Sequence, residues 1–390
     1  MMDQNAFLLV SDDFKTVHMD TLDIAFVGTG ADPGTQNNEG FSMAYRHGSA
    51  YARLEECSLK GAADVVPENA TAFAEYFDIP SAGVHEDHRE MLEAVRPDVV
   101  SVCTPPHTHA DIVVDCTAVD SVQAIHCEKP MARSWADCER MLAAAADADV
   151  KLTFNHQRRF GAPYREAKAL LSAGEIGELE RVEMAAPNIY DYGSHSIDLC
   201  NYFNDEGSAA WVIGQLDYSI EDKWFGVHNE NQTLASWEYE NGVEALASTG
   251  ELGGNLVNCH NRLIGTDGVI EVGHGFPNGS VDDEVLRIRR DTDDRWESVD
   301  TDGEGLHGFD SAEYGRAYID RAIEDVVTAV LEDDISELDA GNALDATEII
   351  FAVWESSRNH GRVSLPLEIE DNPLDAMIES GELTPEPADE

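Results

Sequence analysis

The apolar run Leu22-Asp23-Ile24-Ala25-Phe26-Val27 passes straight into Gly28-Thr29-Gly30. A buried strand ending in a glycine pair suits the first turn of a dinucleotide-binding βαβ unit, where glycine lets the backbone turn tightly and approach a pyrophosphate. Alone, such a turn also fits many ordinary loops. The chain beyond it narrows the choice. Strand-like runs at residues 58–63, 98–103, 122–126 and 151–154 alternate with helical patterns at 70–77, 91–95, 109–118 and 135–145. Strict alternation over this length argues for a parallel sheet with right-handed crossovers.

The first turn is irregular. Met43, Ala44, His47, Tyr51 and Leu54 recur at helical spacing, so the first helix is expected to begin near Phe41. The polar, turn-rich stretch 31–40 then reads as an insertion, with Ala44 as the displaced third small residue of the fingerprint. The second strand ends in Asp64, which suits an adenosine ribose 2′-hydroxyl and would repel a 2′-phosphate. No arginine occurs among residues 65–69, which favours NAD over NADP; a plain surface carboxylate is the alternative.

Two later strand ends carry candidate chemistry. Thr104-Pro105 follows the third long strand, with His109 opening a helix. Cys127-Glu128-Lys129-Pro130 follows the fourth, and lysine occurs at only five other positions: 15, 60, 151, 168 and 223. In a doubly wound sheet these carboxyl ends face the cofactor. An ammonium between a glutamate and a proline at such an end is expected to be fixed rather than solvated.

The pattern changes after residue 155. Runs of alternating polarity at 179–185, 210–218, 234–239, 243–249, 258–264, 269–272 and 285–289, with hairpin signals Asn241-Gly242 and Asp267-Gly268, predict an open, mostly antiparallel sheet. Helices on one face are expected after Asp310, the clearest over 343–358. The predicted fold class is therefore α/β: an N-terminal Rossmann domain with a doubly wound parallel sheet (21–155) and a C-terminal α+β domain (156–370). A short extension (1–20) precedes them. An acidic tail (371–390) without fixed structure closes the chain.

Within the second domain, a helix is expected over Tyr190-Asp191-Tyr192-Gly193-Ser194-His195-Ser196-Ile197-Asp198-Leu199. Asp191 and His195 are then four apart on one face, so the carboxylate can orient a histidine that accepts a proton near neutral pH. The plainer reading is a core histidine with Asp191 capping the helix. Asp198 can hold either the helix or the ring. Arg158 and Arg159 are read as partners of local carboxylates, with contact to an acidic sugar as the other option.

Composition excludes several classes. Against 25 basic residues stand 77 acidic ones, a net charge of −52 spread along the whole chain. Such a surface repels phosphate backbones and anionic membranes and suits molar salt, where repulsion is screened. No nucleic-acid or membrane partner and a halophilic cytoplasmic setting are expected. Seven scattered cysteines without C-x-x-C argue for reduced thiols, and no metal site is expected.

Taken in order, Gly28-Thr29-Gly30, Asp64, Thr104-Pro105 with His109, Glu128-Lys129-Pro130 and Asp191-x-Gly193-x-His195-x-x-Asp198 resemble the Gfo/Idh/MocA oxidoreductases, the glucose–fructose oxidoreductase and inositol dehydrogenase superfamily. The resemblance extends over roughly residues 22–367 and includes Gly265-Thr266-Asp267-Gly268 and Glu355-Ser356. It implies a nicotinamide cofactor held by Gly28, Thr29, Gly30, Asp64, Thr104, Pro105, His109, Glu128 and Lys129. It also implies a catalytic set of Lys129, Asp191 and His195, with a sugar, polyol or cyclitol as substrate. A homo-oligomer built through the second sheet belongs to the same expectation. A redox-assisted glycosidase and a non-catalytic NAD- and sugar-sensing protein of the same fold are the alternative readings.

Overall fold

The computed structural model describes residues 21–34, 42–250, 256–277, 285–306 and 314–388. The extension expected at 1–20 and most of the inserted loop, 35–40, lie outside the described residues.

The alternation of apolar runs and helices produces β1 (Leu22–Val27), α1 (Met43–Tyr51), β2 (Cys57–Ala63), α2 (Pro67–Tyr76), β3 (Val84–His85), α3 (His88–Val95), β4 (Val99–Val102), α4 (Pro106–Thr117), β5 (Ala124–Cys127), α5 (Trp135–Ala148) and β6 (Lys151–Phe154). The strands form one parallel sheet in the order β3-β2-β1-β4-β5-β6. β1, β4 and β5 are apolar on both faces because helices cover both, and Ile24, Phe26, Val99, Val100, Ala124 and Ile125 are fully buried. The order turns between β1 and β4, so their carboxyl ends open a crevice there.

The second layer contains α6 (Ala162–Ser172), β7 (Leu179–Ala186), α7 (Gly193–Phe203), β8 (Ala209–Asp217), β9 (Lys223–Trp224), β10 (Val227–His228), β11 (Gln232–Tyr239), β12 (Glu244–Thr249), β13 (Cys259–Gly265), β14 (Gly268–His274), β15 (Leu286–Arg290), β16 (Glu297–Ser298), α8 (Tyr314–Leu331), α9 (Ala340–Asn359), β17 (Val363–Ser364) and α10 (Pro373–Glu379). Nine strands form an open sheet, β16-β15-β14-β13-β7-β12-β11-β8-β17, antiparallel except where β7 and β12 pair in parallel. The hairpins foreseen at Asn241-Gly242 and Asp267-Gly268 join β11 to β12 and β13 to β14. β9 and β10 form a separate hairpin outside the large sheet.

Two expectations are corrected. The helices after residue 310 do not share one sheet face. Ile319, Ile323 and Val327 of α8 pack into the core of β1 and α1, so this late helix covers the parallel sheet, whereas α9 lies against α7 and β8. And residues 371–388 are not a structureless tail. Asn372 caps α10 by accepting from Leu374 N and Asp375 N, Leu374 and Met377 are buried, and Glu386 N donates to Ser219 O at 2.8 Å. The acidic composition concealed two apolar anchors one helical turn apart. No helix among the described residues is long and apolar enough to cross a membrane.

Candidate active site

The crevice is a cavity of about 810 Å³ running from Asp64 and Val65 at one end to Lys129, Asp191 and His195 at the other. Gly28 and Gly30 line its floor at φ of +81° and +64°. A Cβ on Gly28 would stand 2.4 Å from Thr104 Cγ2, whereas one on Gly30 would meet nothing within 4 Å. The first glycine is thus demanded by the neighbouring strand end, and the second leaves the backbone bare toward the cavity. Asp64 is 8% exposed; its carboxylate accepts from Gly30 N (2.9 Å), Val66 N (2.9 Å) and Thr29 Oγ1 (3.2 Å), latching the turn to the end of β2. This bare, latched turn fits a dinucleotide pyrophosphate with a ribose beside Asp64.

Of the residues expected at the cofactor, Gly28, Thr29, Gly30, Asp64, Thr104, Pro105, Glu128 and Lys129 all line the cavity. His109 does not. It is fully buried on α4, with ring nitrogens 2.7 Å from Thr104 O and 3.1 Å from Met131 O. Burial lowers its pKa. It ties the β4–α4 turn to the segment after Pro130 rather than facing a ligand. A histidine beside two prolines looks exposed in sequence; the covering segment comes from farther along the chain.

Glu128 turns away from solvent. Its Oε1 accepts from Asn155 Nδ2 at 2.7 Å and lies 3.0 Å from His47 Nε2, while His47 Nδ1 is 2.9 Å from Ser101 Oγ. Burial disfavours both charged forms. Cys103 and Glu128 outweigh it at His47, whose pKa is held up to about 10, and His47 with Asn155 pulls Glu128 down to about 2. His126, on the same strand as Cys127, is driven to about 3 by burial and by that imidazolium. Glu128 is therefore the anionic half of a buried pair joining α1 to the strand end that carries Lys129.

Lys129, with a cis peptide to Pro130, donates from Nζ to Asp191 Oδ1 at 2.8 Å and to Asp191 O at 3.0 Å. This corrects the expected helix face. α7 begins at Gly193, so Asp191 stands before it, and its partner is Lys129 rather than His195. Asn229 Oδ1 and Asn188 Oδ1 accept from the backbone N–H groups of Asp191 and Tyr192 and hold the approach to α7.

His195 is 3% exposed and lines the cavity, and its Nδ1 is buried without a hydrogen-bond partner among the described residues. Burial, then the nearby Arg158 and Lys129, push its pKa well below the usual imidazole value. The ring is thereby neutral and able to accept a proton. Asp198 does not touch it. Asp198 binds His156 Nδ1 at 3.0 Å and forms a bidentate pair with Arg159 at 2.7 Å, which also reaches Glu206. Arg159 thus pairs with local carboxylates as expected, whereas Arg158 has no carboxylate partner among the described residues.

Several lining residues escaped the sequence reading: Gln157, Tyr192, Trp224 and Phe225; Arg158, read with contact to an acidic sugar as one option, lines the cavity too. His156, its ring centroid 5.6 Å from that of His195, escaped too. Gln157 lies three residues past the predicted strand end at Phe154, as Lys129 lies three past the predicted end at His126. Trp224 and Phe225 sit on a hairpin whose two-residue strands are too short to show periodicity.

Residues 22–156 match the family model described as an oxidoreductase family with an NAD-binding Rossmann fold. The chain is 26% identical over 175 residues to the myo-inositol 2-dehydrogenase of Thermotoga maritima, covering 43% of this chain but only about half, 51%, of that relative. To the inositol 2-dehydrogenase of Gluconacetobacter diazotrophicus it is 30% identical over 240 residues, covering 57% of this chain and 65% of the relative. A levoglucosan dehydrogenase solved with NADH and levoglucosan shares the fold at a TM-score of 0.69 and 21% identity, over 89% of this chain and all of that one. The motifs from Gly28 to Lys129 lie within residues 22–156, and over this dinucleotide-binding domain the chain matches the Gfo/Idh/MocA oxidoreductase family.

Proposed function

We propose that the protein is an NAD-dependent dehydrogenase or reductase acting on a CH–OH group of a sugar, polyol or cyclitol. The observation that carries this reading is the convergence, in one cavity, of the bare glycine turn with Lys129, Asp191 and His195. Residues 21–155 hold the dinucleotide and residues 156–370 supply the substrate wall. Gly28, Thr29 and Gly30 take the pyrophosphate, Asp64 the adenosine ribose, and Thr104, Pro105 and Lys129 the nicotinamide end. The anionic Asp64 at the ribose favours NAD over NADP.

The nicotinamide supplies hydride acceptance or donation. The chain supplies the rest. In the oxidative direction, neutral His195 removes the hydroxyl proton, and the Lys129 ammonium stabilises the developing alkoxide. Asp191 fixes that ammonium through its carboxylate and carbonyl. The inositol and levoglucosan dehydrogenases among the similar proteins agree with a polyhydroxylated substrate. Exposed Ile213 and Leu234 on β8 and β11 support assembly of copies through the large sheet. A screen of NAD+ and NADP+ reduction over sugars, sugar acids and inositols in concentrated KCl tests the reading; NADH binding with no reduction by any member overturns it.

A further inference from the structure

Two cations, Lys129 and Arg158, line the reactive end of the cavity, and a third, His47, is buried outside its lining. Lys129 is matched by Asp191 and His47 by Glu128. Arg158 is not matched by any carboxylate among the described residues. Its Nη1 donates to His260 Nε2 at 2.7 Å, and its guanidinium carbon sits 4.1 Å over the Tyr192 ring. His260 Nδ1 in turn lies 2.6 Å from Asn261 Oδ1. Arg158 Nε is buried with no partner, and the groups that act on the guanidinium are the tyrosines 192 and 164. No carboxylate among the described residues pairs with it.

This is an unusual use of an arginine. The side chain is 3% exposed and lines the cavity with Lys129 and His195. Buried guanidinium groups are normally paired, because desolvating a lone charge is costly. Carboxylates were not in short supply, since 77 of the 390 residues are acidic. Arg159, the next residue, is closed by Asp198 and Glu206. Among the described residues no anion supplies a counter-charge at Arg158, which leaves that role open to whatever occupies the cavity.

We infer that Arg158 receives a carboxylate of the substrate, so that the chain acts on a sugar acid, a uronic or aldonic acid, in preference to the neutral sugar. This rests on the dehydrogenase reading above and names its substrate class. A planar carboxylate monoanion matches one guanidinium in both shape and charge, whereas a phosphate dianion calls for a second cation, and Lys129 is already engaged. An anion at Arg158 also offsets the field that, after burial, most depresses proton binding at His195. The base would thus strengthen when substrate is present.

Matched pairs test this: D-glucuronate against D-glucose, D-galacturonate against D-galactose, and glucose 6-phosphate as a phosphate arm, each with NAD+. The acid is expected to exceed its neutral partner in kcat/KM by about tenfold or more, the scale of one charge-assisted hydrogen bond. Arg158→Met should erase that preference mainly through KM for the acid, with NADH affinity retained, and Arg158→Lys should restore part of it. Equal or better turnover of the neutral members overturns the inference, and so does a preference for the phosphate ester. If no member is oxidised, the dehydrogenase reading fails. The carboxylate is then read separately, by thermal shift of the NADH-bound protein, where no extra stabilisation by the acids over their neutral partners overturns it.

Discussion

Lys129 Nζ is held by two oxygens of a single residue, the carboxylate and the carbonyl of Asp191, across the junction between the parallel sheet and the segment entering α7. Asp191 therefore acts through the lysine. Lys129→Met is expected to lower kcat/KM by about a hundredfold or more, and Asp191→Asn by less, because the carbonyl still holds the ammonium. The double variant should be no slower than Lys129→Met alone. Multiplying losses in steady-state kinetics would show that Asp191 has a separate role.

The depressed proton affinity of His195 gives a sign for the pH profile. Oxidation requires the neutral ring, so the rate falls as pH drops through its pKa, which burial, Arg158 and Lys129 place below the ordinary imidazole value. Arg158→Met removes a positive charge, favours the protonated ring and moves the acid limb of kcat/KM to higher pH. His195→Asn should abolish the limb and cost about a hundredfold or more in turnover. An acid limb that stays put in Arg158→Met excludes His195 as its source.

What the sequence disclosed was whatever depends on local order along the chain. Gly28 and Lys129 stand at the ends of apolar runs, and period and punctuation suffice to place both at the carboxyl edge of a parallel sheet. Pairing across the fold was hidden. Asp198 lies three residues from His195 and looks like its partner, yet Arg159, which is 39 residues earlier, takes that carboxylate. The helical reading of Asp191 failed because residues 191 and 192 donate their backbone N–H groups to Asn229 and Asn188 and are held outside the helix. The packing of α8 on β1 was equally invisible, since its apolar stripe does not say which sheet it will cover.

Asp64 offers a test of cofactor choice. Its carboxylate accepts from the turn that approaches the pyrophosphate, so full removal would disturb turn and ribose together. Asp64→Asn retains an acceptor and removes the charge. The ratio of kcat/KM for NAD+ over NADP+ is expected to fall by about tenfold, since a like-charge clash with the 2′-phosphate disappears. A ratio unchanged from wild type would place the ribose elsewhere.

The buried pair of His47 and Glu128 links stability to pH. The folded pKa of Glu128, near 2, lies below its unfolded value of 4.5, so its contribution is complete above about 4.5 and is lost as pH falls toward 2. The folded pKa of His47, near 10, lies above 6.5, so its contribution is complete below about 6.5 and is lost as pH rises through 10. His47→Gln should cost about 3–5 kcal/mol at pH 6, the cost of stranding a buried charge, and less at pH 9. Urea unfolding at the two pH values measures both. A cost that does not shrink at alkaline pH would mean that His47 is neutral in the fold.

Salt should stabilise the protein, because two electrostatic effects compete and one is larger. Ion pairs weaken with added salt, but an exposed pair is worth only about 0–1 kcal/mol. The 25 basic residues can neutralise at most 25 of the 77 carboxylates, which leaves a net −52 in mutual repulsion. At about 1 M salt the screening length shrinks to about 3 Å, and that repulsion largely vanishes from the folded state, where the charges are closest. A gain of a few kcal/mol corresponds to roughly 4 °C in a chain of this size. Thermal unfolding should therefore shift upward by about that much between dilute buffer and multimolar KCl. Equimolar sucrose, which does not screen charge, should give a smaller shift. A Tm independent of KCl would mean that the acidic surface costs the fold nothing.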